Sequence, residues 1–268
     1  MDSKEDLQVN TNGVLVTGGT GILGSRVVER LRFAGIEPHV LSRSGRSGTV
    51  KGNLITGEGL AEAVSGVDTI IHCASSSFRK AHQTDVEGTE RLLEGAVGAG
   101  VSHVVYISIV GIDRARSYPY YRVKLETEKV VEDSPIAHTI LRATQFHDLV
   151  LMAVRLLARL PVVPIPRGLV GQPIDAGEVA DRMVELALAE PAGRVEDVGG
   201  PEVRTVADLV RAYLNVTGSR KRIVPFPLPG ETARVIRSGA LTCPENRYGR
   251  ITWEQFLREE LDLLQETA

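Results

Sequence analysis

The stretch Val14-Leu15-Val16-Thr17-Gly18-Gly19-Thr20-Gly21-Ile22-Leu23-Gly24 constrains this chain more than any other. A short aliphatic run feeds glycines spaced Gly18-x-x-Gly21-x-x-Gly24, and an amphipathic segment from Ile22 to Phe33 follows. The first glycine permits a tight turn, the second lets the backbone approach a pyrophosphate, and the third lets the helix pack closely on its strand. The helix start then points unpaired N–H groups and a positive dipole end at the anion. Gly18, Thr20, Gly21, Ile22, Leu23 and Gly24 are therefore the first candidate cofactor-binding residues.

Strand and helix patterns alternate through the first half. Strands are expected at Val14–Thr17, His39–Ser42, Thr49–Leu54, Asp68–Cys73, Val104–Ser108 and His138–Arg142. Between them come helices at Ile22–Ala34, Gly59–Val64, Asp85–Ala99 and Tyr120–Asp133. This rhythm specifies an α/β fold, a doubly wound parallel sheet with right-handed crossovers and helices on both faces. After Gln145 the rhythm changes. Helices are expected at Phe146–Arg159, Ala176–Ala189, Val206–Val216 and Thr252–Leu264, with short strands at Val195–Val198 and Ile223–Phe226 and a proline-rich passage at Pro161–Pro166. Residues 12–160 are thus expected to form a dinucleotide-binding core and 161–268 a small substrate lobe interleaved with it.

Composition narrows the partners. At 268 residues the chain can bury a proper core, and its net charge of −3 comes without a basic stripe, which argues against nucleic acid. Cys73 and Cys243 lie far apart without metal-like spacing, so no metal site is expected and a reducing, cytoplasmic setting is. Met1–Asp6 is polar and acidic, unlike a signal peptide, and Arg155, Arg159 and Pro161 break the most apolar stretch, so no membrane association is expected. The partner expected is a small-molecule substrate. A homodimer is compatible with such a fold, although no residue demands one.

An acidic residue about twenty positions past the glycine turn would favour NAD by bonding the ribose 2′-hydroxyl. Here the segment reads Leu41-Ser42-Arg43-Ser44-Gly45-Arg46. Arg43 is the better clamp for a 2′-phosphate, with Ser42 and Arg46 beside it, because a planar guanidinium matches phosphate oxygens in two-point contact. NADP(H) is therefore expected ahead of NAD(H). Asn53 and Leu54, at the end of the third strand, and Cys73, Ala74 and Ser75, at the end of the fourth, should border the same cleft, with Asn53 a candidate contact for the adenine.

Ser108 ends the fifth strand, and twelve residues later Tyr120-Tyr121-Arg122-Val123-Lys124 opens a helix behind Pro119. Tyr120 and Lys124, four apart, share a helical face. A phenol is a poor proton carrier at neutral pH unless a cation lowers its pKa, and Lys124 is the candidate cation and a candidate ribose ligand. Ser108 could bond the substrate carbonyl while Tyr120 passes the proton. Tyr121, three residues from Lys124, is the competing phenol.

Together these residues resemble the short-chain dehydrogenase/reductase superfamily, in particular its atypical NmrA-like and extended epimerase-like members. The resemblance runs through Thr17–Gly24, Asp68–Ala74, Asp85–Thr89, Val105–Ser108, Tyr120–Lys124, Leu141–Thr144 and Val198–Glu202. It implies a Rossmann-type sheet, a nicotinamide cofactor, a C-terminal substrate lobe and the roles given above to Ser108, Tyr120 and Lys124. The Asp that commonly follows the third strand in these families is Asn53 here, and the interval from Ser108 to Tyr120 is shorter than in sugar-nucleotide epimerases.

Gln145, Phe146 and His147 follow the sixth strand and are expected to line the substrate pocket, with Leu151, Met152, Val163 and Ile165 as an apolar wall. The leading expectation is an NADP(H)-dependent oxidoreductase acting on a small, hydrophobic carbonyl or enone compound. Two rivals are a non-catalytic NADP(H)-binding redox sensor and a sugar-nucleotide epimerase or dehydratase. Arg43 and Arg46 speak against the latter, which would hold NAD.

Overall fold

The computed structural model describes residues 13–76 and 80–266; the acidic start Met1–Asp6 lies outside them. In chain order the first half runs β1 (Val14–Thr17), α1 (Ile22–Phe33), β2 (His39–Ser42), β3 (Val50–Lys51), α2 (Leu60–Ala63), β4 (Thr69–His72), a π-helical turn His82–Val86, α3 (Glu87–Ala99), β5 (His103–Ile109), a 3-10 turn Ile112–Arg114, α4 (Pro119–Glu132) and β6 (Ala137–Ala143). The second half continues with α5 (His147–Leu157), β7 (Val162–Pro166), β8 (Val170–Gly171), α6 (Ala176–Ala187), β9 (Gly193–Arg194), β10 (Arg204–Thr205), α7 (Val206–Val216), β11 (Arg222–Phe226), α8 (Glu231–Arg237) and α9 (Trp253–Glu266).

A seven-stranded parallel sheet in the order β3-β2-β1-β4-β5-β6-β9 forms the centre. It is the doubly wound Rossmann arrangement, with the order reversing between β1 and β4. The central strands bury both faces, so they read as unbroken aliphatic runs whose side chains still alternate. Val14, Val16, Val105 and Ile107 pack with α1 and α6, while Leu15, Ile70, Val104 and Tyr106 pack with residues of α2, α3 and α4.

Elements of the second half pack onto those of the first. α6 lies against α1, with Arg30 Nε donating to Asp181 Oδ1 at 2.6 Å, and β9 extends the main sheet along β6. α5, α7 and α9 meet elsewhere, around Leu151, Leu209, Trp253 and Phe256.

Where strand expectations shifted, backbone pairing explains it. β3 is shorter than Thr49–Leu54 because Asn53 turns back, its N–H bonded to Glu58 O at 2.9 Å and its carbonyl to Gly57 N–H at 2.8 Å. The strand sought at Val195–Val198 is β9, two residues earlier, followed by a single bridge from Val198 to Ala143. The proline-rich passage is itself strand β7, parallel to β11. A two-stranded sheet consists only of edges, so prolines lose no inner ladder bond there. Helix α8 and the pair β8–β10 carry no strong periodic signal and were not anticipated.

Among the described residues no helix is long and apolar enough to cross a membrane, and no cluster of three His, Cys, Asp or Glu is arranged to hold a metal ion.

Candidate dinucleotide cleft and active site

A cavity of about 350 Å³ opens beyond the carboxyl ends of β1, β2 and β4, where ligands bind in sheets of this type. Gly18 turns the chain with φ +66°, a region that suits glycine, and its carbonyl accepts the Gly21 N–H at 2.8 Å. Gly21 is the N-cap of α1 and no side chain caps that end, which leaves the first helical N–H groups for an anion. Gly18, Thr20 and Gly21 line the cavity at this point.

Ser42 and Arg43 line it where β2 ends, Asn53 and Leu54 after β3, and Cys73, Ala74 and Ser75 after β4. Thus ten of the anticipated cofactor residues meet in one cavity. Five do not line it. Leu23 is buried in the core and Ile22 starts the helix wall, while Gly24 packs against the Gly18 carbonyl. Arg46 sits in an exposed turn whose carbonyl is bonded by Thr49, and Lys124 is buried against the Ile107 carbonyl of β5. The Asn53 side-chain oxygen accepts the Ile55 N–H at 3.0 Å, and its amide NH₂ is free to donate to a base. Lys80 and Thr84 also line the cavity and were missed, because the connection from β4 to α3 bears no motif.

Burial pushes the Cys73 thiol up to about 12 against the pull of Lys124, so it is a neutral wall group and no nucleophile.

Ser108 lies at the end of β5, 3 % exposed, with its hydroxyl oxygen lacking a partner. Lys124 is buried and donates from Nζ to Ile107 O at 3.0 Å, with the ammonium 4.3 Å from the Tyr106 ring centroid. Desolvation lowers it to about 8, opposed by Asp85, Glu128 and Cys73. The Tyr120 hydroxyl lies 2.8 Å from Ser75 Oγ, and burial pushes the phenol up to about 12 while the Ser75 bond works against the rise. The i,i+4 spacing therefore does not deliver the expected effect of Lys124 on Tyr120. The shared helical face is real, yet one side chain bonds the β5 backbone and the other bonds the β4 loop.

Tyr121 packs edge-on against Tyr118, with ring centroids 4.9 Å apart. Burial pushes it up to about 12 as well. Of the two adjacent phenols, Tyr120 is the one that touches a residue of the cleft.

One participant escaped the sequence reading. Asp85, on the π-helical turn, accepts the Ser75 hydroxyl at 2.6 Å through Oδ1 and the Ser76 N–H at 2.8 Å through Oδ2. Burial raises its pKa, while Lys124, Ser75 and Ser76 pull it down. In sequence an acid opening a helix reads as a cap, and nothing local shows that it faces Ser75.

The anticipated substrate residues have structural duties instead. Gln145 donates from Nε2 to Leu241 O at 3.0 Å and accepts the Gln172 N–H at 3.1 Å, tying β6 to the lobe. Phe146 is the N-cap of α5 and packs into the sheet core. His147 is buried, 3.0 Å from Ile251 O through Nε2, and stacked on Phe256 with centroids 5.0 Å apart. Burial lowers its pKa, so it is a neutral core histidine. The proposed apolar wall fails too: Leu151, Val163 and Ile165 are buried inside the lobe and Met152 is 62 % exposed on its outer face.

Comparison with known proteins identifies the lineage. The family described as NAD(P)H-binding matches residues 18–190, which carry the glycine turn, the cleft and α4. The chain belongs to the NAD(P)H-binding family. Among relatives, it is 23 % identical over 230 residues to photosystem II assembly factor Ycf39 of Trieres chinensis, covering 80 % of this chain and 72 % of that protein. It is 28 % identical over 217 residues to (4-alkanoyl-5-oxo-2,5-dihydrofuran-3-yl)methyl phosphate reductase of Streptomyces griseus, covering 76 % and 74 %. The structure of an NADPH-dependent quinone oxidoreductase from Escherichia coli in complex with NADPH superposes with a TM-score of 0.76 at 17 % identity, covering 92 % of this chain and 99 % of that one. At that identity the likeness speaks for the short-chain dehydrogenase/reductase fold alone. For an NAD(P)H-binding protein the donor set fits: an uncapped helix start beside tight glycine backbone for the pyrophosphate, and polar groups at both ends of the cleft.

Proposed function

We propose that this protein is an NADP(H)-dependent oxidoreductase that moves hydride to or from a small carbonyl or enone compound. The observation that carries the reading is the contact of the Tyr120 hydroxyl with Ser75, a residue of the cleft wall. A phenol bonded to the wall of such a cleft can transfer a proton at the substrate oxygen in carbonyl reduction. The bound dinucleotide supplies or accepts the hydride. Ser108, buried without a partner, would bond the substrate oxygen as charge develops on it. The rings of Tyr118 and Tyr121, next to Tyr120 on the chain, favour a substrate with an apolar or planar body.

The test is NADPH oxidation by the purified protein against a panel of ketones, quinones and enones. Turnover is expected, and Tyr120→Phe should lower kcat by about 10²- to 10⁴-fold. An unimpaired Tyr120→Phe enzyme would remove the phenol from the reaction.

Arg43 lines the cleft where β2 ends and is the group assigned to the 2′-phosphate. A charge-assisted bond contributes about 1.5–3 kcal/mol, so Arg43→Ala should weaken NADP(H) against NAD(H) by roughly ten- to a hundredfold. Paired titrations with the two coenzymes measure the ratio, and an unchanged ratio sinks the assignment.

A binding role without turnover is the second reading. It is favoured by the likeness to Ycf39, named an assembly factor, and by a Tyr120 that Lys124 does not activate. Dinucleotide binding with no turnover on any compound would decide for it, whereas copurified NAD would point to epimerase chemistry.

A further inference from the structure

Three oxygen-bearing side chains stand in a row, with Ser75, the middle one, in the cleft wall. Tyr120 Oη lies 2.8 Å from Ser75 Oγ, and Ser75 Oγ lies 2.6 Å from Asp85 Oδ1. An ionised carboxylate only accepts, so Ser75 gives its proton to Asp85 and keeps only lone pairs for the phenol. Tyr120 must therefore donate. All the protons of the row point towards a carboxylate that is 1 % exposed.

The carboxylate is held in place from three directions. Its second oxygen accepts the Ser76 N–H at 2.8 Å, its backbone carbonyl accepts the Thr89 hydroxyl, and it sits on the π-helical turn His82–Val86. Such turns are rare and frequently mark functional positions. On α4, Lys124 donates to the Ile107 carbonyl at 3.0 Å, and its charge also pulls the Asp85 pKa down.

We propose that Tyr120, Ser75 and Asp85 form a proton relay in which Asp85 holds the proton exchanged with the substrate. The proposal rests on the oxidoreductase reading above. In alcohol oxidation the substrate O–H bond breaks and its proton bonds to Tyr120 Oη. The Tyr120 proton passes to Ser75 Oγ, and the Ser75 proton passes to Asp85 Oδ1. A bound oxidised nicotinamide dinucleotide would accept the carbinol hydrogen as hydride as the C=O bond forms, and Asp85 ends as a carboxylic acid. Carbonyl reduction is the same sequence reversed, with Asp85 returning the proton.

The relay answers a difficulty of this site. Burial holds Tyr120 at about 12, so a standing phenolate is scarce at neutral pH. Passing one proton in while another leaves spares the phenol that charge. The carboxyl is suited to the task because burial raises it towards values at which it can hold a proton. The charged and titratable groups around it are Lys124 and Tyr120 on α4, with Glu126 bound to His82, Tyr106 on β5, Cys73 after β4, and Lys80, His82 and Glu87 on its own segment. Asp85 acts through Ser75 and Tyr120 and so is a positioning and proton-holding residue.

Two measurements on Asp85→Asn, Ser75→Ala and Tyr120→Phe test this. The first is phenolate absorbance against pH in protein without added dinucleotide, with Tyr120→Phe identifying the Tyr120 component. Asp85→Asn should lower the Tyr120 midpoint by about one pH unit, since a nearby negative charge is removed, and Ser75→Ala should raise it. The second is the pH profile of kcat for alcohol oxidation. The wild type should lose rate on the acid side as Asp85 protonates; Asp85→Asn and Ser75→Ala should lose that limb and at least tenfold in kcat, and in Asp85→Asn the dinucleotide KM should change less than about threefold. Ser75→Ala keeps the carboxylate and removes the link, which guards against a misfolded Asp85→Asn. An unmoved Tyr120 midpoint together with a retained acid limb overturns the relay. Wild-type protein that takes up no nicotinamide dinucleotide overturns the functional reading instead, and the phenolate titration, which needs no dinucleotide, tells the two failures apart.

Discussion

Gly24→Ala is expected to raise the Kd for nicotinamide dinucleotide at least tenfold and to destabilise the protein by about 1–3 kcal/mol. A Cβ built at Gly24 lies 2.2 Å from the Gly18 carbonyl oxygen and 2.9 Å from Gly19 Cα, both backbone atoms. Backbone cannot swing aside like the end of a flexible side chain. α1 must therefore move away from the turn, taking its uncapped N–H groups with it. The Gly18 carbonyl is also the acceptor for the Gly21 N–H at 2.8 Å, so the turn and the helix start would loosen together. Fluorescence titration with NADPH and a thermal melt would measure the two effects. Native affinity in the variant would mean that helix packing on this turn does not shape the phosphate site.

Glu128→Ala should lower stability by about 3–5 kcal/mol, through a network that no motif search would single out. Arg142 on β6 donates from Nε to Glu128 Oε1 at 2.7 Å and from Nη2 to Oε2 at 2.5 Å, with both side chains almost fully buried. Its Nη1 reaches Asp113, after β5, at 2.8 Å. Removing Glu128 leaves a buried guanidinium with one half-exposed partner. Loss of one member of a buried pair costs far more than the pair contributes, because the remaining charge keeps its desolvation penalty. Glu128 lies one helical turn beyond Lys124 on the same buried face of α4, so the site should loosen with the fold. Urea denaturation with an unchanged m-value provides the measurement. A loss under 1 kcal/mol would show that Asp113 alone can hold Arg142.

These two positions also differ in how far sequence reasoning reaches. Gly24 was legible because its neighbours are Gly18 and Gly19, within one turn of chain. Glu128 was not, because its partner arrives fourteen residues later on another element. The same divide runs through the candidate site. The central strands, α1 and the ten cofactor residues that do gather in the cleft follow from periodicity and from the rule that loops beyond parallel strands converge. The proline-bearing strand β7 was hidden because its pairing with β11 spans sixty residues.

The residues placed in the substrate pocket show the limit most plainly. Gln145 and His147 follow a sheet strand directly, where pocket residues often stand. Their partners are Leu241, ninety-six residues away, and Ile251, one hundred and four away. Only the return of the chain through α9 makes His147 a core group.

What the amino-acid order determined alone is the layered sheet, its phosphate turn and the presence of a tyrosine and a lysine on one face of α4. Those properties depend on backbone geometry repeated over a few residues. Tertiary closure decided which way each of the two side chains points, and it brought Ser75 and Asp85 to the phenol. A hydrogen bond reaches only about 3 Å, so its partner is set by where distant segments meet and leaves no trace in local spacing.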